Sequence, residues 1–158
     1  MIVAPAIQGR AQGFKVPVEY FTLPNMRNVR KENVLADDEI LTHVLLPAPG
    51  SVKTGHYEVR YKQSHDWPLA MTTVVLTMNG NTIQSARVVL GAVAPVPWRS
   101  KPAEAALAGK PLNEQTAAAA GEAAVSEAKP MSGNAYKVQI AKTAVKRAIM
   151  NAAGIKTV

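Results

Sequence analysis

The side chains that most often perform chemistry are sparse in this sequence and poorly spaced for it. The three histidines, His43, His56 and His65, have no second histidine or carboxylate at a spacing that would bring both to a metal ion from one helix. Asp66 adjoins His65, but neighbouring residues on a strand point to opposite faces. The absence of cysteine excludes disulfides, thiol catalysis and cysteine-ligated clusters within this sequence. We therefore predict no metal-ligating residue.

Other catalytic patterns are missing as well. The sequence has no glycine-rich phosphate-binding loop of the Gly-x-Gly-x-x-Gly or Walker type and no Gly-x-Ser-x-Gly nucleophile motif. Residues 37–39 are three consecutive acids, whose side chains diverge as expected of an exposed turn. Glu104 and Glu122 lie on two different predicted helices, so only tertiary contacts could pair them for acid–base work. We predict no catalytic residue.

One segment, residues 57–70, does combine side chains of the kind that bind ligands. It holds the aromatic residues Tyr57, Tyr61 and Trp67, four charged residues and Pro68 at a predicted strand–loop–strand junction. This composition fits a ligand-facing edge, and it also fits an aromatic core cluster beside a rigid turn. The residues alone favour the core cluster and leave both interpretations open.

The net charge of +7 is concentrated near the C-terminal end, because no acid follows Glu127 while six basic residues do: Lys129, Lys137, Lys142, Lys146, Arg147 and Lys156. Such a surface could attract nucleic acid or an acidic partner, or it could be the solvated face of a helix. The scarcity of aromatic residues for base stacking favours the solvated face, so we expect no nucleic-acid binding. No apolar run approaches the roughly 20 residues that span a bilayer, so we expect no membrane insertion.

Strand patterns occupy the first two thirds of the chain. Residues 14–18 and 40–46 predict strands, the second one apolar on both faces and therefore covered on both sides. Strict alternation over residues 57–62 predicts a half-buried strand. The stretches 69–78 and 83–93 flank Asn79 and Gly80, and an Asn-Gly pair suits a tight hairpin turn. The last three stretches therefore form an antiparallel meander.

Helix patterns occupy the last third. Ser100 is placed to cap a helix over residues 102–108, and Asn113 is placed to cap an alanine-rich helix over 114–128. Residues 134–153 carry apolar side chains at three- and four-residue steps, which predicts a third helix with one apolar stripe. Strands followed by a block of helices indicate an α+β domain.

Motifs spread over the chain from about residue 14 resemble, in order and spacing, segments of the flavoprotein subunits of the xanthine dehydrogenase and CO dehydrogenase family. They are ENVL at 32–35, DEILTHVLLP at 38–47, DWPLA at 66–70, SARVVLGAVAPVPWR at 85–99, EAALAGKPL at 104–112 and NAYKV at 134–138. The resemblance implies an α+β fold in which an antiparallel three- to four-stranded sheet packs against C-terminal helices. It also implies that residues 1–50 are the tail of an FAD-binding domain and residues 51–158 the flavoprotein's C-terminal domain.

The resemblance further implies a role beside FAD in the complete subunit of an aldehyde- or xanthine-type molybdenum hydroxylase. The family's glycine-containing loops that hold the FAD pyrophosphate have no counterpart here, so we expect no FAD bound to this chain alone. The parts that match the family's flavin-side edge are Glu58, Lys62, Asp66 and Trp67. Many relatives carry a lysine near the flavin where this chain has Glu58. Either Lys62 replaces it, or the alignment is shifted at this strand, or the flavin-side role has changed.

The partners implied by the resemblance are the Fe–S subunit and the molybdopterin subunit of the same complex, with a homodimer also possible. The implied function is support of FAD-mediated electron transfer and subunit contacts, with no catalysis by the chain alone, in the cytoplasm or else the periplasm. The alternative is a stand-alone interaction or dimerisation module that has lost flavin binding. The substrate of such a complex would be chosen at the molybdenum site of another chain.

Overall fold

The structure is a computed structural model that describes residues 4–7, 14–15, 30–31, 33, 35–38, 40, 43–45 and 50–155. The chain divides into two compact units, Met1–Gly50 and Ser51–Val158. Each unit contains its own antiparallel sheet.

In the first unit, strands β1 (Ala4–Ile7), β2 (Phe14–Lys15) and β3 (His43–Leu45) form an antiparallel sheet in the order β2-β1-β3. The prediction that a covered strand begins at Ile40 is wrong. Ile40 is not part of a strand and is 73% exposed, and the described pairs between β3 and β1 involve His43, Val44 and Leu45. Of the predicted strand segments 14–18 and 40–46, residues 14–15 and 43–45 are strands in the structure, and residues 16–18, 41–42 and 46 lie outside the described residues.

The second unit contains the predicted meander, which is confirmed. Strands β4 (Val52–Val59), β5 (Ala70–Asn79), β6 (Thr82–Gly91) and β7 (Trp98–Arg99) form an antiparallel sheet in that order. The hairpin between β5 and β6 has a two-residue loop, Gly80 and Asn81, since Asn79 pairs with Thr82. Gly80 has a φ of +57°, a conformation that glycine adopts without steric cost.

Strand β4 differs from the prediction. It begins at Val52 and ends at Val59, and it does not continue to residue 62. The backbone N–H of Leu69 donates to the Val59 carbonyl at 2.7 Å, which closes the ladder there. Beyond that bond the chain leaves the sheet, so Tyr61 is 78% exposed and does not share a buried face with Tyr57.

Three helices follow the sheet in the described part of this unit: α1 (Lys101–Leu107), α2 (Glu114–Ala124) and α3 (Tyr136–Ala152). The predicted caps are confirmed, because the Ser100 hydroxyl and the Asn113 side-chain oxygen each accept a backbone N–H three residues later. Helix α2 ends four residues before the predicted position. After Ala124 the backbone bonds change to three-residue spacing, from Val125 to Glu122 and from Ser126 to Ala123.

The hydrophobic core lies between one face of the sheet and the helices. Buried side chains alternate along β5 and β6, and the apolar stripe predicted on α3 is confirmed by its burial. The main contributors are Val74, Leu76, Ile83, Val88, Leu90, Leu107, Val145, Ala148 and Ile149.

Gly55 sets the closeness of β4 and α3. A Cβ atom at this position would lie 1.9 Å from the carbonyl oxygen of Ala148 and 2.6 Å from the backbone nitrogen of Ala152. Only a glycine allows the two backbones to approach so closely. This packing anchors β4 four residues before its end, where the connection to β5 begins.

Candidate functional site

The candidate site is the ten-residue connection between β4 and β5, residues 60–69, which we call the β4–β5 loop. It leaves an edge strand of the sheet and returns to a central one. Its base is closed by the bond from Leu69 to Val59, and His65 near its tip has a φ of +52°. Left-handed backbone is uncommon for a residue other than glycine, so the surrounding contacts must maintain this turn.

Asp66 supplies those contacts. One oxygen of its carboxylate, Oδ2, accepts the backbone N–H of Tyr61 at 3.0 Å and that of Lys62 at 2.9 Å. Hydrogen bonds to an ionised acceptor are stronger than neutral ones. The carboxylate therefore ties the second half of the loop to the first, and its charge is already engaged within the chain.

The aromatic residues of the segment divide into two groups. Trp67 is 89% exposed and Tyr61 78% exposed, so the interpretation of this segment as a core aromatic cluster is wrong for both. Tyr57 is half-buried against the core, where its hydroxyl accepts a hydrogen bond from Arg147 and its ring lies 5.0 Å from that guanidinium. The loop thus displays two large apolar side chains to the outside of the unit.

Glu58 and Lys62 differ in how much of their charge is balanced. The Glu58 carboxylate lies 2.9 Å from the Arg60 guanidinium and 4.0 Å from the His56 ring. The ammonium group of Lys62 has no hydrogen-bond or ion-pair partner among the described residues, and the residue is exposed. The structure therefore brings all four predicted site residues to one strand end and loop, with Lys62 and Trp67 outward and Glu58 and Asp66 engaged internally.

The carboxylates on the helices do not form a paired site. Glu104 receives two hydrogen bonds from Arg99, at 2.7 and 2.9 Å, and one from the backbone N–H of Val88 at 3.2 Å. Burial by itself would raise the pKa of Glu104, but these bonds and the positive charges of Arg99 and Lys101 outweigh it, so the pKa lies below its ordinary value. Glu122 instead pairs with Lys142.

Sequence reasoning missed the Arg99–Glu104 cluster. The sequence pattern that could have indicated it is an acid in the first turn of a helix with an arginine just before the N-cap. That pattern is also compatible with many arrangements in which the two residues do not pair.

Two of the four basic residues of α3, Lys142 and Lys146, are paired with acids of α2. Lys146 lies 2.7 Å from Glu114, whose pKa is lowered by that hydrogen bond and by the Lys146 charge, and Lys142 pairs with Glu122. These pairs balance two of the six positive charges that follow Glu127 in the sequence. They favour the interpretation of this helix side as a solvated face.

An open cavity of about 230 Å³ lies between the end of β6 and the helices, and sequence reasoning did not identify it. Leu90, Trp98, Val125 and Val138 are among the residues that line it. Lys137, also at its edge, donates to the carbonyl of Ala92 at 2.7 Å. The lining is mostly apolar and has no converging set of catalytic groups.

The described residues contain no cluster of three or more histidine or acidic side chains that could hold a metal ion. No helix among them is both long and apolar enough to cross a bilayer.

The sequence profile of the CO dehydrogenase flavoprotein C-terminal domain matches residues 55–152, from the glycine at the β4–α3 contact to the last residue of α3. The chain belongs to this family. Its predicted α+β fold and its predicted relationship to the FAD-binding subunits of molybdenum hydroxylases are thereby confirmed.

Two relatives of this flavoprotein domain illustrate the relationship. The carbon monoxide dehydrogenase medium chain of Hydrogenophaga pseudoflava is 32% identical over 138 residues, which cover 85% of this chain and 46% of the relative. The FAD-binding subunit of aldehyde oxidoreductase from Escherichia coli is 32% identical over 111 residues, which cover 70% of this chain and 32% of the relative.

Solved structures agree with the assignment to the flavoprotein family. Quinoline 2-oxidoreductase from Pseudomonas putida matches with a TM-score of 0.83 and 26% identity. Carbon monoxide dehydrogenase from Hydrogenophaga pseudoflava matches with a TM-score of 0.78 and 30% identity. Each match covers 97% of this chain and 53% of the other. The chain therefore spans about half the length of the proteins it matches.

Proposed function

We propose that this chain forms the C-terminal part of the flavoprotein subunit of a molybdenum hydroxylase of the aldehyde or xanthine dehydrogenase type. In this proposal it supports FAD-mediated electron transfer and subunit contacts, and it catalyses no reaction alone. The observation that carries the proposal is the family match over residues 55–152, in a chain without a phosphate-binding loop. Residues 1–50 are then the tail of the FAD-binding domain, and residues 51–158 its C-terminal neighbour.

The donor set of the β4–β5 loop suits one part of FAD and not the rest. The exposed indole of Trp67 and the ammonium of Lys62, which has no partner among the described residues, can lie against an aromatic ring system that gains negative charge on reduction. When bound, FAD would supply the redox chemistry of the subunit. The phosphates need backbone N–H groups of a kind that this sequence does not offer, so they are held by another segment or chain.

Within this proposal Lys62 takes the place of the lysine that many relatives carry at the position of Glu58. Two observations support the substitution. The Glu58 carboxylate is balanced by Arg60 at 2.9 Å, so it does not present a free negative charge. Lys62 is exposed, and its ammonium has no partner among the described residues.

The same proposal includes contacts with an Fe–S subunit and a molybdopterin subunit. Support comes from the relatives, which are a medium chain of carbon monoxide dehydrogenase and an FAD-binding subunit of aldehyde oxidoreductase. The exposed aromatic residues Tyr61 and Trp67 are of the type that is enriched at protein interfaces, and they offer a place for such contacts.

Purification of the tagged chain tests the proposal in two settings. Expressed alone, the chain should lack flavin absorbance, because it has no phosphate cradle. Isolated from its native cells, it should co-purify with flavin, iron and molybdenum on associated polypeptides. Stoichiometric FAD in the chain alone would contradict the first expectation. Self-association in native extracts without flavin, iron or molybdenum would favour the alternative of a stand-alone interaction module.

A further inference from the structure

We propose that Asp66 is a positioning residue that holds the β4–β5 loop in the shape from which Lys62 and Trp67 face outward. This inference rests on the proposed function for the flavin-side role of the loop, whereas the holding of the loop is a property of the chain alone. In this proposal Lys62 and Trp67 face outward to the cofactor, and Asp66 fixes the positions of their backbones.

One oxygen of the Asp66 carboxylate is already engaged within the loop. A single oxygen accepts the N–H groups of Tyr61 and Lys62 at 3.0 and 2.9 Å. A carboxylate that turned toward a flavin would leave these two donors without their acceptor. Asp66 is also only partly exposed, in contrast to Lys62 and Trp67 on either side of the turn.

The Lys62 and Trp67 side chains receive little support from the described residues. The Trp67 side chain is 89% exposed, and that of Lys62 has no hydrogen-bond or ion-pair partner among the described residues. Their positions follow from their backbones. Asp66 fixes the backbone of Lys62 directly, by accepting its N–H. It fixes the backbone of Trp67 because Trp67 is the next residue in the chain.

The turn between Lys62 and Trp67 supports the same role for Asp66. His65 has a φ of +52°, which a residue with a side chain adopts only when other contacts favour it. That conformation brings the carboxylate of the next residue back toward residues 61 and 62. Glu58 cannot serve the same purpose, since it lies on β4 and pairs with Arg60. The loop is thus preorganised by one side chain, which lowers the ordering cost of binding.

Amide hydrogen exchange on the full chain tests the holding role without any flavin. We expect Asp66→Ala to accelerate exchange at the Tyr61 and Lys62 amides by about fivefold or more, as the loss of a hydrogen bond predicts. Asp66→Asn should restore most of the protection, because its side-chain oxygen can accept the same bonds. The amide of Val74 in the central strand should not change. Equal exchange in wild type and Asp66→Ala would overturn the proposal.

The flavin midpoint potential tests the positioning role in the assembly isolated from native cells. Asp66→Ala and Asp66→Asn remove the same charge, so a difference between them reports the shape of the loop alone. We expect a more negative potential in Asp66→Ala than in Asp66→Asn, because the displaced Lys62 no longer stabilises the negative charge of the reduced flavin. Lys62→Met should shift the potential in the same negative direction.

The outcomes separate the inference from the proposed function. Equal potentials in the two Asp66 variants, with a shift in Lys62→Met, would overturn the positioning role and leave the flavin-side role of the loop in place. An unchanged potential in Lys62→Met and in both Asp66 variants would contradict the proposed contact of the loop with flavin. In that case the exchange results would still decide whether Asp66 holds the loop.

Discussion

Two carboxylates of this molecule accept backbone N–H groups, in opposite surroundings. Glu104 is buried and joins its helix to Val88 of β6 and to Arg99 of β7, which are five to sixteen residues away in sequence. Asp66 is partly exposed and binds two amides of its own loop, four and five residues away. The first carboxylate joins elements of the core, and the second shapes a surface segment. Hydrogen bonds from backbone N–H groups to a carboxylate thus stabilise the core in one place and fix the shape of an exposed loop in the other.

The largest effect should follow from Glu104→Ala. This change leaves the Arg99 guanidinium and the Val88 N–H without their acceptor, and we expect a loss of about 3 kcal/mol in the free energy of unfolding. Urea denaturation followed by circular dichroism would measure it. Glu104→Gln, which keeps an oxygen acceptor, should lose less. A loss below about 0.5 kcal/mol in Glu104→Ala would remove the distinction between the two carboxylates.

The contribution of Glu104 should also depend on pH. Its folded-state pKa lies below the ordinary value of 4.5, because the hydrogen bonds and charges around it outweigh its burial. The unfolded chain therefore takes up the proton first as the pH falls. The stabilisation is fully present above the unfolded-state pKa and is lost as the pH falls through the folded-state pKa. The stability difference between wild type and Glu104→Gln should shrink between pH 7 and pH 3, and a constant difference would contradict this.

A smaller effect is expected from Asp66→Ala. The two bonds it removes lie within one loop that is open to water, so we expect a loss of about 1 kcal/mol in the free energy of unfolding. Thermal melts of this variant and of Asp66→Asn, the matched control, would give the difference. A loss as large as that of Glu104→Ala would show that the β4–β5 loop is part of the cooperative core.

The smallest effect should follow from Trp67→Ala. A side chain that is 89% exposed contributes little to the folded state, so the free energy of unfolding should stay within about 0.5 kcal/mol of wild type. Under the proposed function, the same variant should still weaken the contact of the loop with flavin in the native assembly. Clear destabilisation of the isolated chain would show that Trp67 is a structural residue. It would contradict the interpretation of the loop as an exposed surface that contributes little to stability.

Local features of the fold were predictable from the sequence because their causes lie within a few residues. The hydroxyl of Ser100 and the side-chain oxygen of Asn113 cap helices three residues ahead, and Gly80 permits the turn in which it lies. Period-two and helical patterns likewise identified the meander and the stripe on α3. Element ends were less predictable, as β4 and α2 show, because the last hydrogen bonds depend on the partner strand or on unwinding of the final turn.

The candidate site was predictable only in part. The resemblance selected Glu58, Lys62, Asp66 and Trp67, but the sequence did not reveal that two of these face outward and two are engaged internally. That division depends on a left-handed turn at His65, which is not a typical turn residue. It also depends on where the ladder of β4 ends.

The sequence by itself determined the three main strands of the meander, the three helices that follow them, the caps of two of these helices, the absence of cysteine chemistry and the family. Only the tertiary structure decided that Gly55 lets β4 pack closely against α3, that Glu104 accepts hydrogen bonds from Arg99 and Val88, and that Trp67 is exposed to solvent. The physical reason is range. Propensities and caps act over one turn of backbone, whereas burial and charge balance depend on which distant residues the folded chain brings within a few ångströms.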